Sequence, residues 1–168
     1  MLSITENIPI VLCQDHRALS KKIAREIVDY AKNRATMGKS AVLGLCTGST
    51  PIDLYAELIS LHRKGETFAN VITFNLDEYF PISYESPHSY HRYMYENLFD
   101  HLDIPDDQIF IPRGDLKHCE IESYCQWYEK QISAAGGIGI QLLGIGLTGH
   151  IGFNEPGSLP DTRTRLVR

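Results

Sequence analysis

Apolar residues along the chain fall into short unbroken runs separated by longer stretches in which they recur every three or four positions. Ile8–Cys13 (IPIVLC), Ser40–Cys46 (SAVLGLC), Asn70–Asn75 (NVITFN), Gln108–Pro112 (QIFIP) and Ile138–Gly146 (IGIQLLGIG) are the runs. Each is strand length, and none alternates with polar residues, so each is expected to be a strand buried on both faces. Between the first two, Leu19, Ile23 and Ile27 recur every four residues while Lys21, Lys22, Arg25 and Glu26 fill the other face. This predicts a helix from Asp15, a good N-cap, to about Ala35. Pro51 suits the first turn of a second helix, IDLYAELISLHRK. A tyrosine-rich helix is expected over Ser89–Leu102, and a last one over Ile121–Ala135, closed by Gly136 and Gly137.

Strand and helix thus alternate through the chain, the signature of an α/β fold: an open, Rossmann-like, mostly parallel sheet with helices on both faces. Residues 1–168 show no repeat, low-complexity tract or linker and read as a single domain. Beyond Phe153 the residues NEPGSLPDTRTRLVR predict no closing element. A docked terminal element is therefore expected to be missing, and the chain reads as C-terminally truncated.

Composition narrows the function classes. Among 168 residues, 43% are hydrophobic and 22% charged, which is globular rather than disordered. With 16 Lys and Arg against 21 Asp and Glu, the net charge is −5, and no basic block is present, so a nucleic-acid partner is not expected. No apolar run approaches the roughly 20 residues that cross a bilayer, and no membrane partner is expected. The first residues lack a basic segment followed by an apolar one, so a secretory leader is not expected either. Cys13, Cys46, Cys119 and Cys125 lack C-x-x-C spacing and read as free thiols in a reducing, cytoplasmic setting. No metal site is expected from them.

Ligands of open α/β sheets bind outside the carboxyl ends of the strands, and three such loops carry the informative residues. Thr47-Gly48-Ser49-Thr50 precedes a helix start, where free N–H groups and hydroxyls suit a phosphate, although the segment matches neither a P-loop nor G-x-G-x-x-G. A plain helix cap by Ser49 or Thr50 is the simpler alternative. Asp77 and Glu78 follow the strand VITF. Adjacent residues point in different directions, so one of the two is expected to face a pocket, where a desolvated carboxylate could serve as a base. The third loop, Gly144 to Gly157, has four glycines within nine residues, with His150 and Glu155 five positions apart. Imidazole titrates nearest neutrality, so His150 is available for proton transfer. The other six histidines fall on expected helices or polar turns and read as structural or surface residues.

Taken together, LGLCTGSTPIDLYAEL, FNLDEYFPIS, SYHRYMYENLFDHLDIP and LLGIGLTGHIGFNEPGS, in this order, resemble the glucosamine-6-phosphate deaminases, within the group that includes 6-phosphogluconolactonase and ribose-5-phosphate isomerase. The resemblance spans about Ser40 to Arg168. It implies conversion of glucosamine 6-phosphate and water into fructose 6-phosphate and ammonia, a hydrolase of N-acetylglucosamine and amino-sugar catabolism that needs no cofactor. It implies Asp77 as the carboxylate moving a proton between C2 and C1, His150 as the group that opens the sugar ring, and Glu155 as its support. Thr47, Gly48, Ser49, Thr50, Glu78, Gly146 and Gly149 are then expected around substrate and phosphate. Ser158 and Arg165 match positions that contact an allosteric amino-sugar phosphate in some bacterial members, although Leu159 and Pro160 break that pattern. A homo-oligomer is compatible with the resemblance. So is a pocket completed by basic residues beyond Arg168.

Thr148 departs from the resemblance, because an aspartate is expected two positions before the histidine. Its loss weakens control of the imidazole tautomer and is expected to displace the pH optimum of ring opening. The DEY and FNEPG segments favour an amino-sugar deaminase over a 6-phosphogluconolactonase. Having both Asp77 and His150 favours an enzyme over a non-catalytic sugar-phosphate sensor.

Overall fold

The computed structural model describes residues 9–167. Four strands, β1 (Ala41–Leu45), β2 (Val71–Asn75), β3 (Ile109–Phe110) and β4 (Ile140–Gln141), form one parallel sheet in the order β3-β2-β1-β4. Four α-helices, α1 (His16–Thr36), α2 (Ile52–Arg63), α3 (Tyr90–Asn97) and α4 (Ile121–Ala134), cover it. Successive connections carry the chain from β1 to β2 to β3 in one direction, whereas β4 returns to the other side of β1. The direction reverses beside β1, which is where a crevice opens in such sheets.

The expected pattern of burial holds for the central strands. All five residues of β1 are buried, as are four of the five in β2, and the two pair in register from Ala41 with Val71 to Leu45 with Asn75. One sheet face packs Leu43, Leu45 and Val71 against Ile27 of α1, Tyr55 and Leu58 of α2 and Met94 of α3. On the other face, Phe74 stacks on Phe110 at 4.7 Å and meets Tyr128 of α4 edge-on at 5.7 Å. Each such fully buried side chain contributes roughly 1.5–3 kcal/mol, so the two layers are held by apolar burial rather than by surface ion pairs. At Gly44 an added Cβ would overlap the amide end of the Gln141 side chain of β4.

Helix ends follow local chemistry. The Asp15 side chain accepts the Ala18 N–H at 2.7 Å, and Ser89 Oγ accepts that of Arg92 at 3.1 Å. Gly136 and Gly137, both at positive φ, end the chain's run through α4.

Three expectations are corrected. The strand expected at Ile8–Cys13 begins at a residue outside those described, and from Pro9 to Cys13 no strand forms. Ile10, Val11 and Leu12 are 83%, 58% and 92% exposed. An apolar run becomes a strand where an edge accepts it, and neither β3 nor β4 pairs with this one. The run Ile138–Gly146 shrinks to β4, Ile140–Gln141, because β4 pairs on one side alone and leaves Leu143 and Ile145 exposed. The helix expected over Ser89–Leu102 stops at Asn97. Leu98 turns out of helical geometry, a 3-10 turn follows at Phe99–His101, and the change buries the neighbours Leu98 and Phe99 together. No described helix is long and apolar enough to cross a membrane.

Candidate active site

Three loops leave the carboxyl ends of adjacent strands: Thr47–Thr50 after β1, Leu76–Tyr79 after β2, and Leu142–Gly157 after β4. Because β1 lies between β2 and β4, the hydroxyl-rich loop sits between the acidic loop and the glycine-rich one.

The first loop leads into α2, whose N-cap position is Pro51. No side chain caps this end, so neither Ser49 nor Thr50 supplies the simple cap weighed above. Pro51 has no N–H, and the first helical amide bond runs from Tyr55 N–H to the Pro51 carbonyl. The preceding amides and the Ser49 and Thr50 hydroxyls therefore remain open to solvent, as an anion site requires. Gly48 takes a φ of +101°, which strains any residue with a Cβ, and its carbonyl accepts the Tyr93 hydroxyl at 2.6 Å.

In the second loop the two acids part, as alternation predicts. In Asp77, burial, then the neighbouring Glu78 charge, push the carboxyl up to about 6 against the opposing pull of the Phe153 backbone N–H in the third loop. Gly152 presses on this carboxylate from the third loop: a Cβ there would stand 2.8 Å from Asp77 Oδ2. Glu78 instead turns to the start of α3.

The third loop folds back on itself. Gly146 N–H donates to the His150 carbonyl at 2.9 Å, and the His150 ring lies over Gly146, where any Cβ would overlap it. Gly149 and Gly152, at φ of +84° and +56°, make the bends on either side of the histidine. Thr148 Oγ1 lies 2.9 Å from His150 Nδ1 and 3.3 Å from Glu155 Oε2, while the His150–Glu155 distance is 3.9 Å. A hydroxyl has one proton to give. With that proton on Glu155, the threonine oxygen accepts from Nδ1–H, and Nε2 keeps a lone pair. The hydroxyl thus stands where an aspartate was expected and links both partners.

The Asp77 loop and the His150 loop therefore touch at Gly152, two residues after the histidine. Ser158 is exposed, and Arg165 donates to Asn154 Oδ1 at 2.9 Å, so the tail is tied to the same loop.

The sequence reading missed an aromatic wall. Tyr79, Tyr90 and Phe153 come from the second loop, α3 and the third loop, with ring centroids 4.8, 5.0 and 5.8 Å apart. The Tyr90 hydroxyl meets that of Tyr79 at 3.3 Å. Tyr90 and Tyr93 are three apart and share a helix face toward the first loop, which was the one available signal. Two cavities lie elsewhere. One of about 440 Å³ opens between β3 and α4, lined by Phe110, Tyr124 and Trp127, and one of about 330 Å³ lies behind Glu78. Neither is lined by Asp77 or His150.

Fold and site together define an open parallel α/β domain with its chemistry on three strand-end loops. The sequence profile of the glucosamine-6-phosphate isomerases/6-phosphogluconolactonase family matches residues 14–159, and the chain belongs to that family. It is 47% identical over 159 residues to glucosamine-6-phosphate deaminase 2 of Bacillus subtilis (strain 168), covering 94% of this chain and 62% of that protein. It is 43% identical to the glucosamine-6-phosphate deaminase of Thermoanaerobacter sp. (strain X514), again over 94% of this chain and 60% of the relative. Among solved structures, a monomeric glucosamine-6-phosphate deaminase superposes with a TM-score of 0.88 at 42% identity, over 95% of this chain and 64% of that one. A 6-phosphogluconolactonase from Thermotoga maritima shares the fold, with a TM-score of 0.69 at 21% identity over 85% of this chain and 62% of that one. The chain thus spans somewhat under two thirds of the length of these relatives. The hydrolase class expected from the sequence is corrected, because the matching family is described as one of isomerases and the named relatives are deaminases.

Proposed function

We propose that the protein isomerises and deaminates glucosamine 6-phosphate, giving fructose 6-phosphate and ammonia. One observation carries this reading: Gly152, two residues after His150, packs against the Asp77 carboxylate, so a carboxylate and an imidazole lie on touching strand-end loops beside a helix start without a side-chain cap.

The chemistry follows from those positions. The substrate rests as a closed hemiacetal, and His150 moves a proton between the C1 hydroxyl and the ring oxygen to free the C1 aldehyde. The aldehyde makes the C2 hydrogen acidic. Ionised Asp77 takes that proton, and the electron pair spreads toward O1 as an enolamine. Return of the proton to C1 leaves an imine at C2. Water adds to this carbon, the C–N bond breaks, and the ketone and ammonia result. A positioned acid or base speeds each proton transfer typically 10²–10⁴-fold. Phosphate held by Thr47–Thr50 and the α2 N-terminus, remote from C1 and C2, fixes which carbon meets Asp77.

Residues in the remaining length of the relatives would complete the phosphate pocket with positive charge, so the complete protein is the species in which activity is to be sought. Four free thiols agree with a cytoplasmic setting. Incubating the full-length protein with glucosamine 6-phosphate and measuring ammonia tests the reading. Release that falls at least 100-fold in Asp77→Asn is expected. Hydrolysis of 6-phosphogluconolactone without ammonia release would assign the site to the other branch of the family, and binding without turnover would assign it to a sensor.

A further inference from the structure

Glu78 directly follows the proposed base, yet its side chain is occupied elsewhere. Oε1 accepts the backbone N–H of Tyr79 at 2.8 Å and of Tyr90 at 2.9 Å, and Oε2 accepts that of His91 at 2.9 Å. Tyr90 and His91 are the first two residues of α3, the helix end where unpaired amides and the dipole favour a negative charge. The next two amides are taken as well, Arg92 N–H by Ser89 Oγ and Tyr93 N–H by the Ser89 carbonyl. Unlike the start of α2, the start of α3 has no donor left for a substrate.

Tyr90, held in this way, is the residue whose hydroxyl reaches Tyr79 and whose ring stacks on Phe153, and one turn on, Tyr93 bonds the Gly48 carbonyl of the first loop. One carboxylate thereby fixes the backbone of both tyrosines in the wall where all three loops meet. Resting on the deaminase reading, we propose that Glu78 is a positioning residue of the reaction: its carboxylate ties the Asp77 loop to the start of α3 and keeps a fixed negative charge beside Asp77.

The second half of that role has a sign. Asp77 is faced by the Cys46 thiol at the end of β1, by the Tyr90 hydroxyl of α3 and by the Tyr128 hydroxyl of α4, and burial pushes all three up, which keeps them neutral near pH 6. His150 and Glu155 belong to the third loop, whose contribution to Asp77 is the Phe153 N–H. Glu78 is the charged neighbour that raises the Asp77 carboxyl, second to burial, so neutralising Glu78 must make Asp77 easier to ionise.

The test compares Glu78→Gln with Glu78→Asp in the full-length protein. It reads the pH profile of kcat/KM with glucosamine 6-phosphate and, independently of turnover, the carboxyl-carbon NMR titration of Asp77. Glu78→Gln is expected to move both the acid limb and the Asp77 titration down by roughly one pH unit. Glu78→Asp keeps the charge but cannot reach both α3 amides, so it is expected to leave the acid limb in place while KM rises and α3 amides exchange faster. An Asp77 titration unmoved in Glu78→Gln, or α3 amide exchange unchanged in Glu78→Asp, overturns the proposal. Should Glu78→Gln not fold, a shifted acid limb in Glu78→Asp would overturn it as well. If the unaltered protein released no ammonia while the two NMR signatures came out as stated, the deaminase reading would fall and the Glu78 assignment would stand.

Discussion

The Thr148 hydroxyl lies 2.9 Å from Nδ1 of His150 and reaches Glu155 at 3.3 Å, so a neutral side chain joins the imidazole to its carboxylate. The link orders the ring by hydrogen bonding rather than by direct charge pairing.

Replacing Thr148 with Val keeps the shape and removes the hydroxyl. One orienting hydrogen bond is worth about 1 kcal/mol, so kcat is expected to fall roughly 5- to 10-fold, with Thr148→Ser restoring most of it. Nitrogen-15 spectra of the histidine should show loss of the Nδ1–H tautomer in the Val variant. Thr148→Asp is expected to displace the pH profile of ring opening, and an unchanged profile would count against the relay.

Asp77 lends itself to a stability measurement. Its carboxyl lies well above the ordinary aspartate value, at about 6, chiefly because burial disfavours the charge. A raised carboxyl costs nothing below pH 4, where the group is neutral both folded and unfolded. The cost grows between about pH 4 and 6 and is complete above that. Asp77→Asn should therefore match the unaltered protein in urea melts at pH 4 and exceed it at pH 8, by on the order of 1–3 kcal/mol. Activity moves the opposite way, as expected where a site holds a charge its fold resists.

Gly48 offers a probe of the phosphate loop. At a φ of +101° with open space around it, Gly48→Ala meets no clash but must strain the backbone, by roughly 1–2 kcal/mol. KM for the phosphorylated sugar should rise about tenfold, while thermal unfolding shifts by a few degrees at most. Titration of the protein with inorganic phosphate, followed by calorimetry, checks the same loop without turnover.

How far these features could be read from the chain depended on how local their causes are. Helices α1, α2 and α4 were legible because their apolar period and at least one end signal lie within or beside the segment, as with Asp15 before α1, Pro51 before α2 and the Gly136-Gly137 pair after α4. Strands β1 and β2 were legible because a five-residue run buried on both faces leaves no polar face to confuse. Ile10 to Leu12 looks equally strand-like, but pairing is decided by a distant edge, and none takes it. Asp77 and His150 stood out because charged or titratable residues at strand ends have few structural uses. The bonds of Glu78 were not legible, because its partners, the amides of Tyr90 and His91, lie a dozen residues on and carry no side-chain signal. The Tyr79–Tyr90–Phe153 wall was hidden for the same reason.

The order β2-β1-β4 turns the sheet into a ruler. Neighbouring strands step by about 4.8 Å, so the three loops are staged across roughly 10 Å, a reach comparable with that of an extended six-carbon sugar phosphate. Backbone pairing sets that gauge, and no side chain can retune it. A lineage that adapts such a site to longer or shorter substrates must work through loop length and leave the strands alone.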